Sequence, residues 1–154
     1  MQFLLGFILG AIVLGLVIWK MMPKLMCITK ESRLDFETTV QRVQDEAIAL
    51  GWSVPHVYNM KQSFEKAGNK NVQKMMVVSL GNAKHAYSIV KNDKDKNILG
   101  FMPYRLGVYE DKNGKVFITG AEMEIMSKMF GGNVEKVMGQ SAKELSEAFS
   151  KFTK

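Results

Sequence analysis

Three patterns of hydrophobic and polar residues follow one another along the chain. The first, Phe3–Trp19, reads FLLGFILGAIVLGLVIW with no charged or strongly polar residue. As a helix rising about 1.5 Å per residue it is roughly 25 Å long, close to the hydrocarbon thickness of a bilayer. Trp19 falls where an interfacial aromatic belt sits, Lys20 can snorkel, and Met21 and Met22 lengthen the apolar surface before Pro23, which is expected to end the helix. The pattern predicts a single transmembrane anchor over residues 1–22, in contact with lipid through residues 3–22, followed by a body over residues 23–154. A secretory signal peptide is the competing reading, but the basic start and the small-residue cleavage site that it requires are not evident.

The second and third patterns alternate in the body. Leu25–Ser32 suits a first strand, and Asp35 is placed as N-cap of a helix whose stripe Phe36, Val40, Val43, Ala47 and Leu50 runs at helical spacing to a stop at Gly51. Trp52–Asn59 contains Pro55 and reads as an edge strand, followed by a short helix near Lys61–Ala67. Val72–Leu80 is apolar on both faces from Met75 onward, as a central strand would be. Asn82 opens a helix through Val90, NDKDKN reads as a loop, and Tyr104–Glu110 and Lys115–Thr119 form a hairpin around Asp111–Gly114. Tyr104, Leu106 and Val108 share one face of that hairpin and Arg105 points the other way. A methionine-rich helix over Ala121–Phe130 is stopped by Gly131 and Gly132, and a short turn holds Val134 and Val137. Ser141 and Glu144 then resemble a capping box ahead of a last helix carrying Leu145, Ala148, Phe149 and Phe152. The sum is an α+β fold, a mostly antiparallel sheet with helices on one face, preceded by the single N-terminal transmembrane helix.

Charge refines the membrane reading. Lys20, Lys24, Lys30 and Arg33 against Glu31 alone carry half of the net charge of +6, and they do so beside the apolar segment, where they would meet lipid headgroups. A nucleic-acid binder would spread its basic excess over the folded domain, so no nucleic acid is expected as partner. The basic flank favours a cytoplasmic body by the positive-inside rule. Gly6 and Gly10 make a small-xxx-small pair that could bring two anchors together as a homodimer, although glycine is common in membrane helices without that role.

Chemical signatures are sparse. Cys27 is the single cysteine, so no intramolecular disulfide forms, and it reads as a small apolar side chain at the membrane edge. Asp93, Asp95 and Asn97 imitate the start of a calcium loop, but Ile98 and Tyr104 occupy the positions of its glycine and glutamate. There is no GxxxxGK, GxGxxG or GxSxG, and thus no local sign of catalysis. Met123, Met126 and Met129 recur within about 120° of one helix face, where thioethers could bind Cu(I) or, with His85, face a haem. Methionine is also an ordinary gap-filling core residue, which explains the same spacing without a ligand.

The ordered segments ESRLDFETTVQRVQDEAIALGWSVPHVYNM, VVSLGNAKHAYSIVKND, MPYRLGVYEDKNGKVFITG and MSKMFGG together resemble the domain of unknown function 302 family, from about Ile28 to Met138. The resemblance implies a compact α+β domain, often dimeric, in a family without an established general activity. Many members carry cysteines immediately before the matched asparagine and within the proline-arginine motif; Gly81 and Tyr104 stand there in this chain. Related domains preceded by export signals place the body outside the cell, against the charge rule. Asn82, Pro103 and Arg105 are the matched positions. The expectation is a non-enzymatic, membrane-tethered binding or interaction module, with a small unidentified ligand in a cleft near Arg105, Tyr104, His85 and Asn82. The alternatives are a haem or Cu(I) protein using Met123, Met126, Met129 or His85, and a small enzyme assembled from distant residues.

Overall fold

Helix α1 (Gln2–Met26) passes directly into strand β1 (Cys27–Glu31) without an intervening loop. The computed structural model describes residues 2–154, with side chains described from Gly6 onward, so Met1 of the expected anchor lies outside the described residues. Among the described residues, Gly6–Met26 is the one helix long and apolar enough to cross a membrane, with mean hydropathy 1.9 and none of it buried against the rest of the chain. Pro23 does not end the helix as expected: it lies inside α1, and the extended chain begins only at Cys27, where pairing with Ala121 becomes available. Proline removes one backbone donor and strains the preceding turn, a cost that a helix can absorb when neighbouring turns remain bonded.

The body follows the order α2 (Phe36–Ala49), β2 (Ser53–Asn59), α3 (Met60–Lys66), β3 (Met75–Gly81), α4 (Ala83–Val90), a 3-10 segment (Asp93–Phe101), β4 (Tyr104–Glu110), β5 (Val116–Ala121), α5 (Met123–Phe130) and α6 (Gly132–Ser150). The five strands lie in the order β1-β5-β4-β3-β2 with every neighbouring pair antiparallel. Alternation along the strands separates two faces. Val78, Leu80, Leu106, Val108, Val116 and Ile118 lie on the covered face and pack with Phe36, Val40, Val43 and Ala47 of α2 and Leu145, Ala148 and Phe149 of α6. Val43, Val78, Leu80 and Val108 have no exposed surface; burying each such side chain contributes about 1.5–3 kcal/mol. On the opposite face Tyr109 and Phe117 stack at 5.3 Å beside Gly107.

Local chemistry sets the element ends. Asp35 caps α2 through Oδ1, which accepts from the Thr38 N–H at 2.9 Å, and Gly51 takes φ 78° just beyond the helix, a conformation that disfavours any Cβ. The Asp111 carboxylate accepts from the N–H groups of Asn113 and Lys115 and closes the β4–β5 hairpin. The C-terminal tail lies along the start of the body: the Arg33 N–H donates to the Phe152 carbonyl and the Lys154 N–H to the Glu31 carbonyl, each at 2.9 Å.

Several expected boundaries move. The strand predicted from Val72 starts at Met75 and is interior, with β4 at the middle of the sheet. The NDKDKN loop is the start of the 3-10 segment, whose Ile98 is buried and packs with Ile89 and Val134. Ser141 does not cap a last helix. It lies inside the continuous helix α6, because Val134, Val137 and Met138 carry the apolar stripe of Leu145 and Phe149 back to Gly132 and override the local capping pattern.

Four surface carboxyls tie these ends together and titrate below their ordinary range. Thr38 holds Asp35 down, Lys154 holds Glu31 down, Lys74 holds Glu37 down, and the Lys115 N–H holds Asp111 down. Because folding lowers each pKa, the stabilisation is complete above the unfolded values near about 4 and is lost as pH falls through the lower folded values. Circular-dichroism melts of the full chain should therefore show a midpoint that declines progressively below about pH 4. Asp35→Ala should lower the midpoint at pH 7 by a few degrees and shrink the acid decline; identical acid profiles for the two proteins would refute the assignment.

Candidate functional site

Antiparallel register gathers one set of strand termini at the end where α1 joins the sheet. Cys27 pairs with Ala121, Leu80 with Tyr104, and Ser53 with Gly81, so the start of β1, the end of β5, the start of β4, the end of β3 and the start of β2 all lie there. Helices α4, α5 and α6 and the 3-10 segment close over this end and leave a cavity of about 550 Å³.

Most of its wall is apolar. Leu80, Ile89, Ile98, Phe101 and Pro103 contribute, together with four methionines, Met102, Met123, Met126 and Met138. The polar residues converge on one side. Asn82 caps α4, its Oδ1 accepting from the His85 N–H at 3.1 Å, and so fixes the first turn that carries the His85 ring. His85 Nδ1 is hydrogen-bonded to Ser141 Oγ of α6 at 2.9 Å, and the Trp52 indole meets the imidazole edge-to-face at 5.9 Å. Trp52 is 7% exposed, and its buried indole nitrogen has no hydrogen-bond partner. An indole N–H is a donor only, so it leaves unmet a demand for an acceptor.

Tyr104 forms the partition between this cavity and a second one of about 520 Å³ lying between β1, β5 and α6, whose rim includes Lys30, Lys143 and Glu147. Its hydroxyl donates to the Ala121 carbonyl at 3.0 Å. Burial, reinforced by the Glu122 charge, raises the phenol's pKa, so Tyr104 remains a neutral donor committed to the backbone and is not an acid or base for a ligand. The ring crosses Gly120 so closely that a Cβ there would lie 2.6 Å from the hydroxyl and 2.7 Å from Leu106 Cδ2.

Of the residues expected from sequence, Tyr104, His85, Asn82, Met123 and Met126 are brought together in the lining. Arg105 also borders the cavity, but strand alternation sets it on the opposite face from Tyr104, opposite Ser79 in register, and it is exposed. Its contact is at the rim. Met129 is separated from Met123 and Met126: it is 69% exposed while they are 8% and 7% exposed, because α5 turns only a narrow stripe inward. Trp52, Met102, Met138 and Ser141 were not expected as site residues; the abundance of methionine, 12 residues in the chain, hinted only at Met102 and Met138. Among the described residues no group of three or more histidine, cysteine, aspartate or glutamate side chains is placed to hold a metal ion.

A Gly120→Ala variant tests the partition. The methyl must displace a tyrosine ring anchored at its hydroxyl, and such overpacking costs about 1–3 kcal/mol. The expected outcome is a lower melting midpoint with the fold retained, while a second substitution, Tyr104→Phe, frees the ring from Ala121 and recovers part of the loss. An unchanged midpoint for Gly120→Ala would show that the ring is not fixed there.

Comparison with known proteins adds a family. The family described as "Domain of unknown function DUF302" matches residues 28–152. A solved structure, an uncharacterized conserved DUF302 protein from Bacillus stearothermophilus, superimposes with a TM-score of 0.73 at 16% sequence identity, covering 82% of this chain and 98% of its own. No curated protein matches the chain. At that identity the similarity of structure is one of fold.

Proposed function

The chain belongs to the DUF302 family, and from that premise we propose that it is a membrane-tethered binding module whose cavity holds a small, mainly apolar ligand. The tether is α1, fully outside the packed body and apolar over Gly6–Met26. The observation that carries the binding reading is the cavity of about 550 Å³ itself, lined mainly by apolar side chains and four methionines, with the His85–Ser141 pair at its wall. Ligand pockets of this size are commonly apolar with a few placed polar groups.

Binding is favoured over catalysis by how the polar groups are used. The Asn82 amide oxygen caps α4 and the Tyr104 hydroxyl bonds to Ala121. Ser141 is 3% exposed within α6, and among the described residues no carboxylate is hydrogen-bonded to His85. A histidine base acting on a nucleophile ordinarily has such an orienting partner.

Native mass spectrometry of the full-length protein, extracted gently in detergent from its own membranes, should show a reproducible added mass. The same spectrum reads whether two copies associate through the open Gly6 and Gly10 surface of α1. A wild-type spectrum with no added mass would sink the proposal.

A second reading rests on a separate observation. Met102, Met123, Met126, Met138 and His85 all border the same cavity, a donor set suited to Cu(I). Under reducing conditions, Cu(I) titration against a chromophoric chelator should yield one equivalent bound, lost in the double variant Met123→Leu, Met126→Leu. Failure to compete with the chelator would remove this reading and leave the organic ligand.

A further inference from the structure

Where the cavity opens is decided by the same register that builds it. Strand β1 leaves α1 at Cys27, and the ladder extends one bond further back, the Glu122 N–H donating to the Met26 carbonyl at 2.8 Å. Helix α5 therefore starts beside the last residue of the membrane-length helix. The far end carries the Asp111–Lys115 turn and the exposed Lys74–Glu37 pair. The near end carries Leu99 at 54%, Phe101 at 51%, Ile125 at 41%, Met129 at 69% and Phe130 at 37% exposure. Phe101 of the 3-10 segment meets Phe130 of α5 edge-to-face at 5.7 Å, and Ile125 and Met129 are one helical turn apart on the same helix. Leu99 and Phe101 belong at the same time to the cavity lining.

A cluster of large exposed apolar side chains is costly in water and is the usual mark of a contact surface. Its position names the occupant. If α1 spans a bilayer, the headgroup region lies within a few residues of Trp19–Lys24, and α5, which carries Ile125, Met129 and Phe130, packs against α1. The acidic groups near these residues include Glu124, paired with Lys128 at 3.3 Å, and Asp93, paired with Lys96 at 2.5 Å, while Lys20 and Lys24 flank the helix end.

We infer that the patch formed by Leu99, Phe101, Ile125, Met129 and Phe130 rests in the lipid interface and that the cavity opens into it, so that the ligand is an amphiphile taken laterally from the membrane. The docking surface stands on the patch and the tether; the route of the ligand rests in addition on the binding reading above. The apolar mouth admits an acyl or similar chain, while the His85 side of the wall meets its polar end inside.

The test uses the full chain in vesicles of phosphatidylcholine and phosphatidylglycerol. With Cys27→Ser as background, a nitroxide is attached at Met129→Cys or at Lys112→Cys in the far turn. The label at 129 should be relaxed by oxygen and shielded from a water-soluble nickel chelate, and the label at 112 should show the reverse. Equal exposure of both labels to the chelate would overturn the docking surface. In the same vesicles, chain-brominated phospholipid should quench Trp52 in a Trp19→Phe protein, with the quenching lost when Leu99→Lys and Phe101→Lys charge the mouth. A shielded label at 129 with unquenched Trp52 would overturn lateral loading by phospholipid, whereas the binding reading itself fails only if the native spectrum carries no added mass.

Discussion

The pairing of β1 with β5 is the contact on which the rest of the arrangement depends. It begins at the last residue of α1, runs through the Thr29–Thr119 hydroxyl pair at 2.9 Å and ends at Glu31 and Phe117. Because β1 has no loop before it, this ladder fixes the direction in which α1 leaves the body. Because every later strand is antiparallel to its neighbour, it also determines which loops lie near α1 and which lie far from it. The segments at the near end supply Trp52, Asn82, Pro103 and Tyr104. Those at the far end supply the acidic and basic side chains of the β4–β5 turn and the start of α2.

A cavity persists at the near end because the helices above it are held apart by specific contacts. Helix α2 covers the middle of the sheet with Val40, Val43 and Ala47, and α6 lies beside it through Leu145 and Phe149. Beyond Met138 the partners of α6 change to Ile89 and Ile98, a smaller core under the 3-10 segment. His85 bridges α4 to α6 through Ser141, and Asn133 Nδ2 donates to the Ser88 carbonyl at 2.8 Å. These polar contacts set the spacing of α4 from α6, and methionines, whose unbranched chains adapt to irregular surfaces, line what remains. Tyr104 closes the side toward β1 only because Gly120 has no side chain to occupy that space.

Much of this was legible in the sequence, and the failures have physical causes. Asp35, Gly51, Asn82 and the Asp111 turn act through neighbours a few residues away, so their roles could be read locally. The alternation of Tyr104, Arg105 and Leu106 predicted their faces correctly for the same reason. Ser141 was misread because a capping pattern and a buried position in a continuous helix look alike until the partner from α4 is known. The methionine stripe was half right: period alone spans 120° of helix, but the inward arc of α5 accommodates Met123 and Met126 and leaves Met129 outside. Trp52 lies between the helix stop and the edge strand β2, a place from which no sequence rule foretells an unpartnered indole.

The two positions where the family resemblance places cysteines, Gly81 and Tyr104, lie on neighbouring strands at this same end, since Leu80 is opposite Tyr104 in the ladder. In this chain neither bears a thiol. Gly81 approaches Ser53, whose hydroxyl donates to its carbonyl at 2.9 Å, and a Cβ at Gly81 would lie 3.2 Å from that hydroxyl. Tyr104 fills its side of the wall with a ring whose polar end is already bonded. These two positions thus hold a closed strand junction and an aromatic partition. The wall between them and the helices above is built from apolar side chains and four methionines.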